Sequence, residues 1–217
     1  MAKQPKHSLA TFPLIVTWVV LTVVVMKVHG DFNQTKELYR QLFSDTDNRI
    51  HPSLNTSVPK DVFVQVNLLS LREIVEREQY FVINAWIEIT WKDEIRSWDP
   101  SQYDGVRVVY PGPTDMWKPR LIVSNSVDKR DLFEDDYAPF SLFWDGSAYW
   151  LPGTVFALSC TMDMTYFPLD RQSCSLLVLA QQFALDVNLI PALPTANTAG
   201  YSQNGEWHLD STSVTPR

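Results

Sequence analysis

The chain has 217 residues and a formal charge of −7. That acidic balance argues against nucleic acid or an anionic lipid surface as partner, and it tolerates a cationic ligand without selecting one. Only 7 glycines are present and none forms a phosphate-cradling loop, so nucleotide-binding chemistry has no sequence support.

Lys3 and Lys6 precede an apolar run, PLIVTWVVLTVVVM, from Pro13 to Met26, and Gly30 stands just before polar sequence begins. The run is shorter than the about 20 residues that cross a bilayer. It predicts a signal peptide over residues 1–30; an uncleaved signal anchor is the alternative. Both readings send the chain into the secretory pathway. Loss of Lys3, Lys6 and Lys27 with no acid takes the formal charge to −10 for residues 31–217. The remaining 187 residues match a single domain with a sizeable core. Two sequons, Asn33-Gln34-Thr35 and Asn55-Thr56-Ser57, make Asn33 and Asn55 candidate glycosylation sites in a secreted chain.

TKELYRQLF, from Thr35 to Phe43, places Leu38, Leu42 and Phe43 at helical spacing. The polar stretch SDTDNRIHPSLNTSVP ends it. In DVFVQVNL, Val62, Val64, Val66 and Leu68 alternate with Phe63, Gln65 and Asn67, which predicts a half-buried strand from Asp61. FVINAWIEITW puts Phe81, Ile83, Ala85, Ile87, Ile89 and Trp91 on one strand face and Val82, Asn84, Trp86, Glu88 and Thr90 on the other. Trp86 therefore stands on the polar face, where a large aromatic reads as an interface or ligand contact; packing under a loop or a glycan is the other explanation. Further strands are expected over Val106–Tyr110, Leu121–Ser124, Tyr149–Cys160, Gln172–Phe183 and Glu206–Val214. One helix followed by many short strands, punctuated at positions such as Pro111, Gly112 and Pro113, predicts a mainly β, immunoglobulin-like sandwich.

Cys160 and Cys174 are the only cysteines, with 13 residues between them. Behind a secretion signal they read as a disulfide, worth about 3 kcal/mol for a loop of roughly 15 residues on the chain-entropy model. No enzyme is expected. His7 and His29 fall in the leader, His51 precedes a proline and His208 sits late in the chain. With both cysteines paired, no nucleophile–base or metal-ligand spacing remains, and no metal or cofactor is predicted. Asp45 with Asp47, and Glu134, Asp135 and Asp136, read as solvated acidic loops.

CTMDMTYFPLDRQSC, with Phe167-Pro168-Leu169-Asp170 inside it, resembles the Cys-loop of pentameric ligand-gated ion channels. WIEITWKDEIRSWDP, from Trp86 to Pro100, is similar to that family's W-x4-W-x-D-x4-W-x-P pattern; Trp117-Lys118-Pro119 and DGSAYWLPGTVFALSC add to the likeness, which leans to the nicotinic acetylcholine receptor branch. The resemblance implies an N-terminal helix on a twisted β-sandwich, assembled as a pentamer with other receptor subunits. A small cationic transmitter such as acetylcholine would bind in an aromatic box between neighbours. It implies that Trp86 is the tryptophan of the complementary face, and that Tyr166, Phe167, Pro168 and Asp170 touch the pore domain, at the extracellular face of the plasma membrane.

The principal face departs from the family. Arg120 stands where the family has an acid, Ser124 where it has a tyrosine, and Gln181 or Gln182 where it has a tryptophan. GEWHLDSTSV, from Gly205 to Val214, looks like the strand that climbs to the capping loop, and the cap and last strand are expected to be missing from this chain. Two further readings follow: a secreted protein of the acetylcholine-binding type, or a truncated subunit that modulates assembly of full-length receptors.

Overall fold

The computed structural model describes residues 31–112, 114–128, 138–181 and 186–216. The leader, the acidic stretch at Glu134–Asp136 and Gln182 lie outside them. The helix α1 runs Phe32–Phe43, three residues earlier than expected from its apolar spacing. Asp31 explains the early start: its carboxylate accepts from the Asn33 N–H, and its carbonyl from the Thr35 N–H at 2.9 Å, which satisfies donors the first turn leaves open. Leu38 and Leu42 are buried, and Tyr39 packs on Phe43 at 5.7 Å between ring centres. Among the described residues no helix is long and apolar enough to cross a membrane.

The remainder is mainly β. The strands are β1 Lys60–Val75, β2 Tyr80–Lys92, β3 Val108–Val109, β4 Leu121–Val123, β5 Phe140–Phe143, β6 Ser147–Trp150, β7 Gly153–Ser159, β8 Val178–Ala180 and β9 Val187–Pro191. The large sheet has the order β3-β5-β6-β2-β1-β9, and β4 with β8 makes a separate antiparallel ribbon. β2 is long enough for two partners on one edge: β6 pairs with Ile89–Lys92 and β7 with Tyr80–Trp86. The expected strand Tyr149–Cys160 is thus two strands, broken at Leu151-Pro152. Pro152 has no N–H to donate, though its carbonyl still accepts from Ile87 N at 2.8 Å.

The alternation of β2 appears as read. Phe81, Ile83, Ala85, Ile87, Ile89 and Trp91 are all buried, and each large side chain among them contributes roughly 1.5–3 kcal/mol by leaving water. Trp91 meets Trp117 edge-on at 5.6 Å and Phe140 at 5.6 Å. These contacts, with fully buried Leu121 and Val123 from β4, place the core between the large sheet and the ribbon.

Elsewhere the structure corrects the sequence reading. Gln65 and Asn67, expected on the solvent face of β1, are buried. Beyond β9 the chain continues beside β1, and Thr195 O accepts from Gln65 Nε2 while Asn197 Nδ2 donates to Asn67 Oδ1. The expected strand Glu206–Val214 forms no ladder. Trp207 and Leu209 are half-buried as alternation requires, but a strand also needs a neighbouring edge. This segment meets residues 194–196 only through Val214 N to Pro194 O and Ala196 N to Thr212 Oγ1. Val106–Tyr110 shrinks to β3, and the described part of Gln172–Phe183, up to Gln181, holds β8; Phe183 lies outside the described residues.

One buried ion pair ties helix to sheet. Arg96 Nη1 lies 2.8 Å from Asp93 Oδ2, with side chains 4% and 0% exposed. Its Nε donates to Leu42 O at the end of α1, its Nη2 donates to Asn48 Oδ1, and the guanidinium lies 5.9 Å from the Phe43 ring centre. Asp93 Oδ1 also accepts from the N–H groups of Ile95 and Arg96. Each guanidinium nitrogen and each carboxylate oxygen of the desolvated pair thus has a partner, as burial of charge requires.

Candidate functional site

Trp86 is 44% exposed on the outer face of β2. Its cross-strand partners are Asn67 on β1 and Gly153 on β7. Directly opposed residues share a face, so Trp86 stands among Asn84, Glu88, Gln65 and Asn67. Gly153 makes this possible. A Cβ there would lie 2.8 Å from Trp86 Cβ and 3.2 Å from its Cα, so a side chain at 153 would collide with backbone that cannot swing away. Trp86 is one of the exposed large apolar side chains, and aromatic ring faces attract desolvated cations.

The Cys160–Cys174 disulfide is formed, with Cα atoms 5.4 Å apart. It closes a loop whose tip is apolar and outward: Tyr166 is 75%, Phe167 68% and Leu169 87% exposed. The Phe167–Pro168 peptide is cis. Gln172 braces the loop, donating to Asp163 O and to the Asp170 carboxylate while its Oε1 accepts from Asp163 N. Asp163 is held below the usual carboxylate range by hydrogen bonds from Thr165.

Two departures from the family pattern, Arg120 and Gln181, meet at one end of the ribbon. Gln181 N donates to Arg120 O at 2.8 Å, immediately beyond the Leu121–Ala180 pair. Together with Asn48, Arg49, Trp117 and Lys118 they line a recess of about 580 Å³. Lys118 Nζ sits 5.2 Å from the Trp150 ring centre, and Arg49 grips Asp47, holding that carboxyl down at about 2. Trp117 is the aromatic wall, fixed edge-on between Trp91 and His51. Ser124 lies at the other end of the ribbon, with its N–H donating to Leu177 O, and is not part of this recess. Trp86 does not line it either. The structure therefore keeps Trp86, the Cys-loop tip and the recess as three separate features.

A family model for the neurotransmitter-gated ion-channel ligand binding domain matches residues 35–216. The chain belongs to that family. It is 30% identical over 187 residues to the acetylcholine receptor subunit gamma of Gallus gallus, covering 82% of this chain and 36% of that protein. It is 31% identical over 188 residues to the acetylcholine receptor subunit alpha-type acr-16 of Caenorhabditis briggsae, covering 86% and 37%, and 28% identical over 191 residues to the neuronal acetylcholine receptor subunit alpha-3 of Bos taurus, covering 88% and 38%. The chain thus spans a little over a third of the length of these relatives. It is a nicotinic-like ligand-binding domain, in a family of ligand-gated channels and not of enzymes.

Several residues that build this ligand-binding domain were missed by sequence reasoning. Asp93 is the acid of the Trp86–Pro100 pattern, but neither its pairing with Arg96 nor the partners Leu42 and Asn48, remote in sequence, could be read from it. Lys60, buried in β1, pairs with Glu94 at 2.7 Å, and Glu94 also accepts from Leu54 N. The Lys60 bond, then the backbone bond, hold the Glu94 carboxyl below its ordinary range. Gly153 had a legible signal, a glycine inside a strand pattern, which marks close backbone approach.

Proposed function

We propose that this chain is the extracellular ligand-binding domain of a nicotinic-like pentameric channel subunit and that it supplies the complementary face of an interfacial site through Trp86. The ligand is a small cationic transmitter such as acetylcholine, and the partner is another receptor subunit carrying an aromatic principal face. Residues 1–30 serve as the signal peptide that delivers the domain to the extracellular side. The observation that carries the reading is the half-exposed indole of Trp86 on a polar strand face, seated over Gly153.

The recess adds support. The positions that resemble the family's principal-face acid and tryptophan are Arg120 and Gln181, and Arg49 and Lys118 line the same hollow. With glutamine at 181, the recess lacks an aromatic face at that position to hold a cation, so the transmitter contact of this chain falls to its other face. At the Cys-loop, Tyr166, Phe167, Pro168 and Asp170 form the surface that couples the domain to a pore.

The test is acetylcholine binding by pentamers that combine this chain with a subunit bearing the aromatic principal face. A desolvated cation–π contact is worth about 2 kcal/mol or more, so Trp86→Ala is expected to weaken binding about 30-fold. Unchanged affinity in correctly assembled pentamers would remove the complementary-face assignment.

A further inference from the structure

The two sequons lie in opposite kinds of backbone. Asn33 is in the first turn of α1, and the N–H of Thr35, two residues on, is already bonded to Asp31 O at 2.9 Å. The Asn33 side chain therefore has no turn to form with the third residue of its own sequon. Asn55 is different. It is exposed in the loop between α1 and β1. Its Oδ1 accepts from the N–H of Ser57 at 3.0 Å and its carbonyl accepts from Val58 N. This is an Asx turn, a structure built from bonds within four residues, so it needs no tertiary contact and forms in a nascent chain. The bond occupies Oδ1 and leaves the Nδ2 amide without an acceptor among the described residues. Leu54 and Val58, 80% and 55% exposed, flank the site and give a bound sugar apolar surface to shield.

We propose that Asn55 carries an N-linked glycan and Asn33 does not. The donor class is an oligosaccharide on a polyprenyl pyrophosphate. Asn55 Nδ2 forms a bond to the anomeric carbon, the bond from that carbon to the pyrophosphate oxygen breaks, the pyrophosphate leaves with the electron pair, and Nδ2 gives up one proton. No oxidant or reductant is involved. The inference rests on residues 1–30 delivering the chain to a secretory lumen.

The experiment translates the full chain with microsomes, scores protection from added protease, and maps glycosylated asparagine by amidase release in heavy-oxygen water. The expected result is a protected chain with one sugar-dependent mobility shift and label at position 55. Asn55→Gln and Ser57→Ala each abolish the shift and Asn33→Gln leaves it. Ser57→Ala removes the sequon but keeps the backbone N–H of the turn, so its loss of the shift does not depend on misfolding. A protected chain that lacks sugar at Asn55, or that loses its shift in Asn33→Gln, overturns this inference alone. A chain left outside the microsomes overturns it together with the secretory reading of the leader.

Discussion

Trp86 and the Arg120 recess are two surfaces of this domain that are held by different means. Trp86 is placed by strand alternation and one glycine, in a ladder where Asn67, Trp86 and Gly153 lie side by side. The recess is gathered from three distant segments, residues 48–49, 117–120 and 181. Long-range bonds set its walls: Arg96 to Asn48, Gln181 to Arg120, and Lys118 over Trp150. A surface made by local periodicity survives changes elsewhere, while one gathered from loops depends on the anchors behind it.

The largest expected effect attacks the anchor of the recess. Arg96→Ala removes the ion-pair partner of the buried Asp93, at a cost of about 3–5 kcal/mol, and takes away one of two bonds on the Asn48 side chain, whose Nδ2 still donates to Thr114 O. Urea melts of the secreted chain should show the loss; a shift under about 1 kcal/mol would mean the pair is not desolvated as described. Next comes the disulfide, remote from both surfaces. Replacing Cys160 and Cys174 by serine should lower stability by about 3 kcal/mol without changing acetylcholine affinity in those pentamers that assemble with an aromatic principal-face partner. A smaller effect separates the two surfaces. Gly153→Val forces a side chain against Trp86 backbone and should cost about 1–3 kcal/mol. It should weaken transmitter binding in mixed pentamers while Arg120 keeps its place in the recess. Equal binding by Gly153→Val would show that indole placement does not depend on that close approach.

The smallest effect is the response to acid. At Asp145 burial works to raise the carboxyl, but hydrogen bonds from Lys92 and Ser147 outweigh it and hold it down at about 2; Glu94 is lowered by Lys60 and Leu54 N. A depressed carboxyl contributes stability above its unfolded pKa and loses it as pH falls through the folded value. Stability should therefore be level above the ordinary carboxylate range of about 4 and decline toward about 2. A midpoint in denaturant that is flat across that window would contradict these bonds. Lys92→Gln should shrink the decline, because it removes the cation that lowers Asp145, and only slightly, because that pair is half-exposed and screened by solvent.

These outcomes track what the sequence could and could not disclose. The β2 alternation exposed both the core set from Phe81 to Trp91 and the outward Trp86, because period-two burial is a local property of a strand. The Cys160–Cys174 disulfide followed from the even cysteine count and the spacing. Gln65 and Asn67 were placed on the wrong side of the burial divide because the chain that covers them returns about 130 positions later. Glu206–Val214 had the right texture for a strand but pairs with no strand among the described residues. Arg120 and Gln181 were visible as departures, yet their meeting with Arg49 and Asn48 in one recess depends on the helix-to-sheet anchor, which no local pattern reveals.

The most direct test of the central claim is to place tryptophan bearing progressively more ring fluorine at position 86 and measure acetylcholine affinity in pentamers with an aromatic principal-face partner. Fluorine drains negative charge from the ring face while leaving its shape nearly unchanged. If Trp86 supplies the complementary cation–π contact, affinity should fall steadily with each added fluorine. An affinity that stays constant through the series would contradict the account.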